Sequence, residues 1–154
     1  MPDFTITGHI TKPATEVFEA VADPAIMSRY FTTGGAVGRM ETGSTVSWDF
    51  KDFPGAFPVQ VLEASAPNRI RFTWGAGEGT VEPGPDGASS TTVQFDFEEL
   101  EDGRTRVRIS ESGWNDTPAA LKASYGNCEG WTQMLCSLKA WLEHGIVLRE
   151  GFYE

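Results

Sequence analysis

The last forty residues constrain this chain most. A strand-like segment, Thr105 to Ile109, leads through Glu111, Gly113 and Trp114 into a helical stretch opened by a proline. That stretch carries Cys128, Trp131, Leu135, Leu138 and Leu142, with Met134 and Trp141 alongside. Their spacing draws one apolar stripe about four turns long, so a helix is predicted over about 117–147. Between residues 34 and 113 the pattern is instead that of short strands. An amphipathic helix following such a run must lay its stripe on the sheet, since neither element can leave its apolar face in water.

The strands are read from alternation. Phe4, Ile6, Gly8 and Ile10 alternate with Thr5, Thr7 and His9. Val46, Trp48 and Phe50 alternate with Thr45, Ser47 and Asp49, and Phe57, Val59 and Val61 with Pro58, Gln60 and Leu62. The same holds for Ile70, Phe72 and Trp74, for Val93, Phe95 and Phe97, and for Val107 and Ile109. Turn signals fall at Thr42-Gly43, Pro67-Asn68 and Asp102-Gly103. One apolar and one polar face on consecutive strands predicts an antiparallel meander covered on one side. Between the first strand and the meander, Pro13 with Glu16 and then Asp23-Pro24 mark the starts of two short helices. The glycine-rich stretch from Gly75 to Ser90, with Gly77, Gly79, Gly84 and Gly87, lacks the Lys-Ser/Thr ending of a phosphate loop. It reads as a long hairpin connection.

A chain of 154 residues fits one domain, taken as 1–154, with core enough to stand without metal or disulfide. Its formal charge of −10 and only 12 Lys and Arg exclude nucleic acid as a partner, because no basic run can displace counterions from a phosphate backbone. Membrane insertion is not expected: no apolar run approaches 20 residues. With no secretory segment at the N-terminus the expected location is the cytoplasm. Cys128 and Cys136 lie eight apart on the predicted helix, roughly 12 Å along its axis, beyond disulfide reach. Cys128, on the stripe, is expected to be a small core residue. Neither the two histidines nor any other set calls for a metal or a cofactor.

Several residues could carry chemistry. Glu111 points inward by alternation with Val107 and Ile109, and a carboxylate enclosed by apolar walls can serve as a proton donor or acceptor. The competing readings place it at a cavity mouth, or pair it with a neighbouring arginine or with the helix N-terminus. Trp48, Trp74, Phe95, Trp114 and Trp131 occupy inward positions, either filling the core or lining a cavity in which Glu111 orients a ligand. Gly126 and Gly130 sit inside the helix, where glycine is disfavoured, and suggest a bend or a close backbone approach.

The order of Pro13, Val17-Phe18, Ala20, Asp23-Pro24 and Tyr30-Phe31 resembles the opening of the family related to the C-terminal part of the Hsp90 ATPase activator. The likeness continues through Gly43, Pro67, Ile70-Arg71-Phe72-Thr73-Trp74, Ser112-Gly113-Trp114, Gly130-Trp131, Leu135, Leu138, Leu142 and Glu143, covering about residues 4–145. The resemblance implies an α+β helix-grip fold of the START/Bet v 1-like kind. Its curved antiparallel sheet of about six or seven strands wraps a long C-terminal helix, with two short helices after strand 1. Glu111 stands where a histidine is common in that family, so no His-based chemistry carries over. Trp114 stands where phenylalanine is more usual.

Three functions follow as expectations. The first is binding of a small apolar, aromatic or lipid-like molecule between sheet and helix, lined by Trp48, Phe72, Trp74, Phe95, Ile109, Glu111, Trp114, Trp131, Met134 and Leu138. The second is an enzyme of the cyclase or dehydratase sort using Glu111 as acid or base. The third, from the resemblance alone, is a co-chaperone-like interaction module; the separate N-terminal domain of the full activator has no counterpart in these residues. The sequence is equally compatible with a monomer and a homodimer.

Overall fold

In the computed structural model, which describes residues 2–77, 79–85 and 89–153, seven strands form one antiparallel sheet closed over by a long helix. The elements are β1 (Phe4–Ile10), α1 (Ala14–Ala22), α2 (Pro24–Tyr30), β2 (Gly35–Val37), β3 (Thr45–Phe50), β4 (Phe53–Ser65), β5 (Arg69–Gly75), β6 (Ser90–Glu99), β7 (Thr105–Ser112) and α3 (Pro118–His144). The order across the sheet is β1-β7-β6-β5-β4-β3-β2. Consecutive strands pair as hairpins, and β1 returns to the far edge beside β7. This is the α+β helix-grip architecture expected.

Local chemistry explains the ends. The Asp23 carboxylate accepts from the Ala25 N–H at 2.8 Å and caps α2, with Pro24 behind it. Thr117 caps α3 in the same way through Ala120 N–H at 3.1 Å. Helix α3 stops at His144 rather than at 147 because Gly145 takes φ +66°, a left-handed C-cap that side-chain-bearing residues rarely adopt. Two strands differ from the reading of alternation. Strand β2 is three residues long, too short for a period to show. Strand β4 begins at Phe53, and its first four residues are exposed, so no alternation marks them. The Gly75–Ser90 stretch does join paired strands, with Gly75 opposite Ser90; Gly87 lies outside the described residues.

The core lies between the concave sheet face and α3. Ile10, Phe18, Val59, Val61, Ile70, Phe72, Val93, Phe95, Val107, Ile109, Met134 and Leu138 are all buried there. Tyr30 is enclosed as well, and its hydroxyl donates to the Ala20 carbonyl at 2.7 Å, tying α2 to α1. One expectation fails on α3. Its inner face runs through Ala120, Ser124, Trp131, Met134 and Leu138, while Cys128 is only half-buried beside Tyr125 and Leu148 on the outer side. At 100° per residue Cys128 stands about 80° from Leu138 and Asn127 only about 20°. The stripe therefore passes through a polar residue that a search for apolar spacing overlooks. Among the described residues no helix is long and apolar enough to cross a membrane.

A buried carboxylate behind an aromatic cavity

Strand β7 delivers Glu111 to the concave face opposite the first half of α3. Its side chain is fully buried, and four neighbours turn donors on it. Oε1 accepts from the Trp131 indole N–H at 2.9 Å; Oε2 accepts from the Trp74 indole N–H at 3.0 Å and from the Thr91 hydroxyl at 2.5 Å. The Asn127 side-chain amide donates between both oxygens, at 3.1 and 3.0 Å. These partners are neutral and come from β5, β6 and α3. A buried carboxylate is tolerated when hydrogen bonds replace its lost water, and here they do so without an ion pair. The arginine or helix-terminus partner considered from sequence is not the arrangement found.

In front of this cluster is a cavity of about 340 Å³. Trp74, Trp131 and Asn127 form its inner wall, so the groups bound to Glu111 separate the carboxylate from the open space. Phe31, Phe50, Phe53 and Tyr153 supply further rings. The rings touch one another: Trp74 and Trp131 have centroids 5.0 Å apart, and Phe31 stands 5.8 Å from Trp131. Gly126 and Gly130 complete the helix side, and a Cβ built at either would meet nothing within 4 Å.

The remaining wall comes from the chain after α3. Beyond Gly145 it folds back, and Arg149 is buried with its guanidinium 4.9 Å from the Phe50 ring centroid and 4.8 Å from that of Tyr153. Its Nη2 donates to both oxygens of Asp52, at 2.9 and 3.0 Å, on the turn between β3 and β4. Sequence reasoning did not reach Arg149, Asp52 or Asn127. The signal for Arg149 was Gly145, a helix stop that lets the chain reverse, followed by the aromatic pair Phe152-Tyr153.

Of the residues named from sequence, Trp74, Trp131 and Glu111 meet at this site. Trp48, Phe72, Phe95, Ile109, Met134 and Leu138 lie deeper, packed together and fully or almost fully buried. Trp114 belongs to a separate small cluster with Val81 and Ala120. No group of three or more potential metal-ligating side chains occurs among the described residues.

The family model described as activator of Hsp90 ATPase homolog 1-like protein matches residues 11–143. The chain belongs to this family. Solved structures agree with the fold. A Staphylococcus saprophyticus protein, SSP2350, is 27% identical with a TM-score of 0.77 over 96% of each chain. The Aha1 dimer of Colwellia psychrerythraea is 23% identical, TM-score 0.74, covering 94% of this chain and 98% of that one. An HSP90 activator from Plasmodium falciparum is 20% identical, TM-score 0.69, covering 91% and 95%. No curated protein matches the sequence.

Proposed function

We propose that the whole chain, as one domain, binds a small apolar molecule, aromatic or lipid-like, in the cavity between the sheet and the first half of α3. The observation that carries this reading is the cavity itself: about 340 Å³, with six rings in its walls, beside two helix glycines that leave its mouth open. Its volume falls in the range of small-molecule sites, and its lining has the usual mixture of apolar walls with few polar groups. Glu111 serves this reading as an anchor rather than as an acid or base. Its oxygens are already engaged by four side chains, and the rings of Trp74 and Trp131 stand between it and any ligand.

A thermal-shift screen against fatty acids, sterols and polycyclic aromatics tests the reading. A ligand at a hundred times its Kd stabilises the native state by about 2.7 kcal/mol, several degrees in Tm for a domain of this size. Filling the cavity from its helix side with Gly130→Leu should abolish the shift while leaving a cooperative melt. A flat response of the wild-type protein across the whole panel would remove the proposal.

A further inference from the structure

Asn127 touches both the buried carboxylate and the cavity, and that double contact fixes which way its amide faces. Its Nδ2 lies 3.1 and 3.0 Å from the two oxygens of Glu111. A carboxylate accepts hydrogen bonds, and of the two ends of an amide only the nitrogen donates. The Asn127 oxygen is therefore held on the other side, away from Glu111. Asn127 is half-buried and lines the cavity, and among the described residues no donor reaches its Oδ1. The surroundings keep that oxygen approachable. Gly126 precedes it, Gly130 lies one turn further along the same side of α3, and both leave open space where a side chain would begin.

Trp74 and Trp131 are oriented by the same carboxylate. Their indole N–H groups are spent on Glu111, so they offer the cavity ring surface and no donor. On this inner wall the polarity presented to a ligand is thus one acceptor set among rings.

Resting on the binding reading above, we infer that the ligand carries a hydrogen-bond donor, a hydroxyl or an N–H, that meets Asn127 Oδ1. The site takes aromatic or lipid-like alcohols, phenols and N–H heterocycles in preference to their methylated counterparts. Glu111 is a positioning residue in this scheme: it never touches the ligand, but it decides which end of the Asn127 amide the ligand meets.

Indole and 1-methylindole separate this from simple apolar burial, measured by calorimetric titration of the full chain. The added methyl group makes apolar burial alone favour 1-methylindole. An acceptor left unpaired on binding reverses the order, and indole should bind roughly five- to tenfold more tightly. Asn127→Ala should return the preference to 1-methylindole. In Glu111→Gln the new side-chain amide can donate toward Asn127, which then turns its NH2 to the cavity. The preference for indole should be lost there while the affinity for 1-methylindole stays within about twofold of wild type, which loss of packing alone would not produce. Should Glu111→Gln fail to fold, Asn127→Ala carries the test, because that side chain is only half-buried. Equal or tighter binding of 1-methylindole by the wild-type protein overturns the inference and leaves the cavity reading intact. If neither probe binds and the wider panel is flat as well, the binding reading has failed and this one falls with it.

Discussion

Under the C-terminal half of α3 a glycine belongs to the sheet; along its N-terminal half the glycines belong to the helix. Gly8 on β1 faces Leu135, and a Cβ placed there would come within 2.8 Å of the leucine Cδ2. The missing side chain lets helix and sheet close up, and Phe18 and Phe97 fill the same end in an edge contact at 5.7 Å. Gly126 and Gly130, by contrast, face nothing within 4 Å. The same residue type thus brings two backbones together at one end and holds a cavity open at the other. What differs is the neighbour: a branched aliphatic that moves in, or rings held back by their bonds to Glu111.

That contrast can be attacked from both ends. The largest effect is expected from Trp131→Ala, which empties a buried indole and strips a donor from Glu111. Denaturant unfolding should show a loss of about 3–5 kcal/mol. At the closed end, Gly8→Ala forces Leu135 out of its rotamer or shifts the helix, and the same measurement should report a loss of about 1–3 kcal/mol. Gly130→Ala should have the opposite sign. With no neighbour to clash with and no left-handed backbone, it should stabilise by up to about 1 kcal/mol through helix propensity, and it should narrow the cavity. A destabilisation there would show that the helix side of the cavity is less open than it looks.

The smallest effect sharpens the comparison from outside both ends. Arg39 donates to both oxygens of Glu19, at 2.8 and 2.6 Å, and these bonds hold the Glu19 carboxyl below its usual pKa. Both side chains are more than a third exposed, so Arg39→Ala should cost less than about 1 kcal/mol. Because the folded pKa is the lower one, the contribution is present above the ordinary carboxylate range and disappears as pH falls through the folded value. Melting curves of wild type and variant should converge in acid.

Most of the sheet was legible because β3, β5, β6 and β7 alternate against one covering helix, whereas β2 and the start of β4 show no such period. The start of α2 was legible because Asp23-Pro24 is a local signal that needs no partner. The site was legible in part. Glu111, Trp74 and Trp131 each stood out as inward-facing residues, but what joins them is a set of side-chain hydrogen bonds across three elements, and periodicity carries no information about such bonds. Asn127 was hidden by its polarity: a stripe traced through apolar residues steps sideways to Cys128. Arg149 was out of reach for another reason. It acts only after the chain reverses at Gly145, and its partner Asp52 lies 97 residues away.

The cluster around Glu111 has a consequence for how this sequence can drift. Positions 74, 91, 111, 127 and 131 share one acceptor group, so a change at one alters what the other four must do. Replacing the carboxylate by a histidine would offer one lone pair, or none when protonated, to donors that now occupy two oxygens. Relatives that keep a glutamate at the equivalent of 111 should therefore keep donors at the other four positions. Those that lack it should have lost several of those donors together, leaving a trace of correlated substitution between strands that do not all touch.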